Sequence, residues 1–224
     1  MIISFINQKG GVGKTTLSIN TASLLSQSGH KVLLIDADKQ GSATTWASLR
    51  DDTGFQVVSM ARENMAKDAL FLASEYDYTI IDAPPHAEGV SRSCVIASDI
   101  VVIPIEPSGL STWASDITIQ QVQQAMEYKE TLKCGFVVSR KIGNTVIGRE
   151  VRNMVEDTGI RIFNADIQNR VAYAESITMG QTIFEWEQDK NAIQEIENLT
   201  KEIIYYGKKE LSESTKASKS RITG

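Results

Sequence analysis

The stretch Gln8-Lys9-Gly10-Gly11-Val12-Gly13-Lys14-Thr15-Thr16 lies between a short apolar run, residues 1–6 (MIISFI), and a segment of helical character. In that segment, residues 16–28, the apolar residues Leu17, Ala22, Leu24 and Leu25 recur among polar ones. Buried strand, glycine-rich turn, helix is the context in which such a motif makes a phosphate site. Glycines let backbone N–H groups converge on phosphate oxygens, and a helix N-terminus adds positive potential. Residues Gly10 to Thr16, including Val12 and Thr16, form the cradle. Lys14 is placed to hold β- and γ-phosphates and the Thr15 hydroxyl to ligate Mg²⁺.

The general phosphate-loop pattern wants glycine five residues before Gly13, where this chain has Gln8. It has instead a second lysine, Lys9, followed by two glycines. KGGVGKTT resembles the deviant Walker A box of the ParA/MinD ATPases. That resemblance implies ATP and Mg²⁺ as ligands. It also implies a catalytic part for Lys9, which in the family reaches across a dimer interface to the partner subunit's ATP.

The chain has 224 residues, 42% hydrophobic and 23% charged, which suits one α/β-sized domain with a real core. No apolar run reaches the ~18 residues of a membrane span, and no leader is expected ahead of the first strand. Cys94 and Cys134 have neither disulfide-framework nor metal-ligand spacing. They are expected to be buried thiols in a cytoplasmic protein. A formal charge of −5 excludes a wholly basic nucleic-acid binder but leaves room for a local basic patch.

Further along, KVLLID (31–36) is a buried strand ending in an acid, followed by the polar loop ADKQGS (37–42). The run DADKQGSAT is similar to the family's switch-I segment. The resemblance gives Asp38 the attacking water and Asp36 the metal's water shell. Residues 55–59 read as a short strand and 61–74 as a helix with Met65, Leu70 and Leu72 inward. The strand YTIID (78–82) ends in Asp82, which fits Walker B logic, a carboxylate reaching Mg²⁺ through water. Pro84 and Pro85 stop that strand and stiffen the loop. His86 is read as an exposed loop residue, and Cys94 as core within the helix 90–97.

Residues 100–105 (IVVIPI) form another central strand. A helix over 110–128 carries Ile117, Val122 and Met126 on one face, with Trp113 in the core or at an interface. The strand 132–138 leads to Ser139 and Arg140, where the family holds adenine. Relatives often have Asn there; this chain has Ser139, and Arg140 either stacks on a purine or is a surface cation. Residues 133–173 carry seven Lys/Arg against four acids. Arg149 and Arg152 share a helix face, and QNRVAYAE (168–175) resembles the stretch near the family's DNA-binding edge. Arg149, Arg152 and Arg170 are thus the candidate phosphate contacts for non-specific DNA. Each has a solvated helix face as its plain alternative.

Residues 188–206 form an amphipathic helix with Ile193, Ile196, Leu199, Ile203 and Ile204 as its stripe. Gly207 is its expected C-cap. Residues 1–207 are expected as a single ATPase domain and 208–224 as a polar, basic, disordered tail. Strands alternating with helices, with acids and glycines at strand ends, give a doubly wound, mostly parallel sheet flanked by helices, the P-loop NTPase class.

By resemblance the chain is a short ParA-type partition ATPase. It forms an ATP-dependent homodimer, binds non-specific DNA over the nucleoid, and is stimulated by a centromere-binding, ParB-type partner without using a membrane. The alternatives are the same switch carrying a non-DNA cargo, a MinD-like membrane-cycling ATPase, and a small-molecule P-loop enzyme. The second of these needs a C-terminal helix with a bulky apolar face, and the tail has only Leu211 and Ile222 as large aliphatics.

Overall fold

The apolar runs become strands because each is buried on both faces, as central parallel strands are. β1 (Ile2–Phe5), β2 (Val32–Asp36), β4 (Tyr78–Asp82) and β5 (Ile100–Ile105) have no exposed residue. With β3 (Gln56–Ser59), β6 (Lys133–Lys141) and β7 (Arg161–Gln168) they make one seven-stranded sheet in the order β3-β2-β4-β1-β5-β6-β7. Every pairing is parallel. The computed structural model describes residues 1–107, 117–143, 152, 155, 158–186 and 188–208.

Two apolar layers cover the sheet. On one face pack α1 (Lys14–Gln27), α2 (Ser42–Ser48), α6 (Val171–Thr178), α7 (Ile183–Trp186) and α8 (Lys190–Lys208), around Phe5, Leu17, Trp46 and Phe163. On the other lie α3 (Ala66–Ala73), α4 (Glu88–Ala97) and α5 (Ile117–Tyr128), around Met65, Cys94, Val122 and Phe136. From β1 the chain winds one way to β2 and β3, and from β4 the other way to β5, β6 and β7. The loops after β1, β2 and β4 therefore meet at the carboxyl edge, where open α/β sheets bind ligands. Both cysteines are buried free thiols, and burial pushes both thiol pKa values up.

Several expectations need correction. Residues 161–168, assigned no element from the sequence, form β7 at the edge of the sheet beside β6. Its alternating Phe163, Ala165 and Ile167 turn toward one apolar layer while Ile162 packs against the other. Leu70 faces solvent, and Ala69 takes the inward place on α3 beside partly buried Leu72. On α5 the inward residues are Ile119 and Val122, while Ile117 and Met126 are exposed. Gly207 is no C-cap, since α8 runs through it to Lys208. A Cβ there would stand 2.6 Å from Ile100 Cδ1 and 2.9 Å from Met1 Cε, so the glycine serves close approach to the sheet. Trp113, Arg149 and the tail 209–224 lie outside the described residues.

Candidate functional site

At the end of β1, Asn7 sets the course of the loop. Its Nδ2 donates to the Pro104 carbonyl on β5 at 2.7 Å, and its Oδ1 accepts the Lys9 N–H at 2.8 Å. The Gln8 N–H donates to Thr118 Oγ1 at 3.2 Å, tying the loop to α5. Gly11 and Gly13 sit at φ 78° and 92°, a left-handed conformation that a side chain would strain. Gly13 caps α1 without a side-chain hydrogen bond, so first-turn N–H groups of α1 point to the loop's concavity. An anion fits that arrangement.

Lys14 is 6% exposed, and its Nζ donates to the Lys9 carbonyl at 3.0 Å. Burial lowers its pKa, opposed by the nearby Asp82 and Asp38 carboxylates. The Thr15 hydroxyl donates to Asp82 Oδ2 at 2.6 Å, and the Ser18 hydroxyl, one helical turn on, lies 3.4 Å from Asp82 Oδ1. Asp82 is 1% exposed. Desolvation pushes its carboxyl up to about 7, against the Thr15 hydrogen bond and with help from Asp36. Asp36 and Asp82 stand side by side in the register of β2 and β4.

Asp36 spends its oxygens on the loop that follows it. Oδ1 accepts the Asp38 N–H at 3.1 Å, and Oδ2 accepts the Thr44 N–H at 2.9 Å and the Thr44 hydroxyl at 2.6 Å. That anchoring holds Asp38, whose Oδ1 in turn accepts the Gln40 N–H at 2.9 Å. Asp38 lies on a cavity of about 400 Å³, with Lys39, Arg62, Glu63, Pro84 and Pro85 among its walls. His86, just beyond, is exposed at φ 52°.

On the opposite side of the loop, Ser139 and Arg140 at the end of β6 line a second cavity of about 200 Å³ with Gly11, Gly13, Thr16, Gln168, Asn169 and Tyr173. A Cβ on Gly13 would stand 3.1 Å from Ser139 Oγ, so the two segments touch. Gln168, Asn169 and Tyr173 belong to the β7–α6 junction and are new members of the site. Their signal was the missed strand, because a residue counts here only if it follows a strand's carboxyl end.

Lys9 and Arg140 converge on one carboxylate. Lys9 Nζ lies 3.0 Å from Glu106 Oε2 and Arg140 Nε 3.4 Å from Glu106 Oε1. Of the candidate DNA contacts, Arg152 and Arg170 have intramolecular partners. Arg152 pairs with Asp166 at 2.5 Å and donates to the Phe163 and Asn164 carbonyls. Arg170 pairs with Glu195 at 2.7 Å and Asp189 at 3.2 Å. Among the described residues no cluster of His, Cys, Asp and Glu has the form of a metal site, and no helix is long and apolar enough to cross a membrane.

The fold has counterparts among known proteins. The chain is 27% identical over 207 residues to a carboxysome-distribution maintenance protein A of Halothiobacillus neapolitanus, covering 90% of this chain and 95% of that one. It is 27% identical over 215 residues to the chromosome-partitioning ATPase Soj of Thermus thermophilus, covering 81% and 86% respectively. Among solved structures, an ATP complex of a Cyanothece McdA variant superposes with a TM-score of 0.71 at 21% identity, covering 91% of this chain and 95% of the other. The description of the CobQ/CobB/MinD/ParA nucleotide-binding domain matches residues 3–183. With the glycine cradle, Lys14, Thr15 and Asp82 all inside that match, the chain belongs to the CobQ/CobB/MinD/ParA nucleotide-binding family.

Proposed function

We propose that this chain is an Mg²⁺-dependent ATPase that works as a positioning switch, pairing with a second copy of itself when ATP is bound and separating after hydrolysis. The observation that carries the reading is one loop that supplies two lysines, Lys14 buried against the cradle and Lys9 at its rim, 47% exposed. A single nucleotide site needs only the first.

The residues present fit ATP with Mg²⁺. Left-handed Gly11 and Gly13 clear space for phosphates, and the Thr15 hydroxyl and Asp82 carboxylate, 2.6 Å apart, are an oxygen pair suited to a hard cation and its water. Bound there, the cation would neutralise charge developing on the transferred phosphoryl group. Lys14 holds the β/γ-phosphates, and the α1 N–H groups bind the phosphate oxygens. Asp38 orients the attacking water, and Asp36 acts through it by fixing the loop from both carboxylate oxygens. Ser139 and Arg140, with Gln168 and Asn169, border the space for the base.

A dimer that forms only with ATP can tether a cargo to DNA and let it go. Arg152 and Arg170 are engaged by Asp166, Glu195 and Asp189, so a DNA phosphate there has to compete with carboxylates already in place. Arg149, the third of the set, lies outside the described residues. For the cargo, DNA bound by a ParB-type partner is one reading, favoured by the similarity to Soj. A protein compartment is the other, favoured by the similarity to the carboxysome-distribution relative.

The test is retention on non-specific duplex DNA without nucleotide, with ADP and with ATP–Mg²⁺, across a salt series. ATP-dependent retention that weakens with salt supports the DNA-tethered switch. No retention in any state, with ATP hydrolysis intact, removes the tether and leaves the ATPase.

A further inference from the structure

The geometry points to Glu106 as a positioning residue of the nucleotide site, one that holds Lys9 and Arg140 together in the nucleotide-free chain and releases them to the nucleotide. This rests on the proposed ATP-dependent pairing and adds a residue that the sequence reading passed over. Glu106 directly follows β5, beside the loop after β1. Its carboxylate is shared: Oε2 is 3.0 Å from Lys9 Nζ and Oε1 is 3.4 Å from Arg140 Nε. Arg140 also donates from Nη1 to the Gly11 carbonyl at 2.8 Å, so its guanidinium lies against the glycine cradle itself. Two cations from two separate loops are thus gathered at the rim of an anion site by one negative charge.

The exposures say what kind of contact this is. Glu106 is 15% exposed, whereas Lys9 and Arg140 are 47% and 49% exposed. The acid is fixed and the two cations are half in water, so each pair is weak and readily exchanged. A polyphosphate entering the cradle brings more negative charge than one carboxylate, and at short range it outcompetes Glu106 for both cations. Lys9 must also let go of Glu106 before it can serve a second subunit's nucleotide. Glu106 therefore sets a threshold: it keeps Lys9 folded back on its own chain until a nucleotide is in place. Arg140 occupies a left-handed backbone conformation, φ 55°, which aims it back over the loop and fits this constrained arrangement.

The test compares the wild type, Glu106→Gln, Arg140→Ala and the double variant at low and high salt. ATP–Mg²⁺ affinity is read by calorimetry on dilute protein, and ATP-dependent self-association by sedimentation velocity. Glutamine is nearly isosteric and keeps the shape of the β5 end. Glu106→Gln should bind ATP about two- to fivefold more tightly and dimerise at a correspondingly lower protein concentration, the range set by weak, partly exposed pairs. The gain should shrink in ~1 M salt, where the screening length falls to about 3 Å. In the Arg140→Ala background the affinity gain should shrink to the part that Lys9 carries. Unchanged affinity and dimerisation in Glu106→Gln would overturn the inference. So would an equal gain in the Arg140→Ala background, because the carboxylate then merely repels the nucleotide. Should the wild type bind ATP yet never self-associate, the pairing reading fails by itself, and the Arg140 comparison still decides whether Glu106 positions a cation.

Discussion

Asp82 is the residue on which the site's chemistry and its stability meet. An ordinary aspartate ionises near 3.8, and burial raises this one to about 7. Between those values the folded chain keeps a proton that the unfolded chain has released, so protonation favours the fold. The stabilisation is fully present below about 4, declines as pH rises, and is gone above about 7. Thermal melts of nucleotide-free protein from pH 5 to 8 should show that decline, and Asp82→Asn should flatten it. A slope of wild-type size in the variant would assign the effect to other groups. Lys14 is the companion case, with its ammonium drawn into the cradle at 6% exposure. Lys14→Ala should weaken ATP about 10- to 100-fold, the loss expected for charge-assisted hydrogen bonds to phosphate. Unchanged affinity in a calorimetric titration would refute the phosphate assignment.

At the scale of elements, the edge formed by β6 and β7 shows how a packing detail builds the base side of the site. Gly135 on β6 pairs in register with Arg161 on β7, and a Cβ there would stand 2.6 Å from the ring of Phe163. Phe163 is fully buried and cannot swing away. Gly135→Ala should therefore cost about 1–3 kcal/mol, the usual penalty for overpacking, read as a lower urea midpoint. Combining it with Phe163→Leu should recover part of the loss; no loss in the single variant would show that the ring relocates. This edge is also where the sequence was hardest to read. β1, β2, β4 and β5 declare themselves as unbroken apolar runs because both their faces are covered. β7 mixes Arg161, Asn164 and Asp166 with three alternating apolar residues, as an edge strand can, and that pattern is weak over eight positions. With β7 unseen, Gln168 and Asn169 had no strand end to sit on. The phosphate side needs no such help, because Gly11, Gly13, Lys14, Thr15 and Asp82 are close in sequence to unmistakable strands. Glu106 was illegible for a different reason: a salt bridge between loops 97 residues apart leaves no local pattern.

For the whole molecule, the two lysines of one loop divide the work between binding and assembly. Lys14 faces inward, and Lys9 stands at the rim, 47% exposed, against Glu106. If Lys9 serves a second subunit's nucleotide, removing it leaves the chain's own cradle intact. Lys9→Ala should then bind ATP–Mg²⁺ within a few-fold of wild type but stay monomeric by light scattering, and a normal ATP dimer in that variant would sink the cross-interface role. Asp38 sits at the other end of the cycle. It is held by Asp36 and acts on Lys14 and Asp82 only through space, so Asp38→Ala should bind ATP and dimerise while hydrolysis stalls. The consequence is directional, since a switch that closes with ATP and opens only after hydrolysis accumulates in the closed state when hydrolysis fails. Asp38→Ala should therefore persist as an ATP dimer after free ATP is diluted away, whereas the wild type decays to monomer at its own turnover rate. If the variant instead turns ATP over at the wild-type rate, the water is positioned by another group, and the wall of the cavity beside Asp38, with Glu63, is the place to look for it.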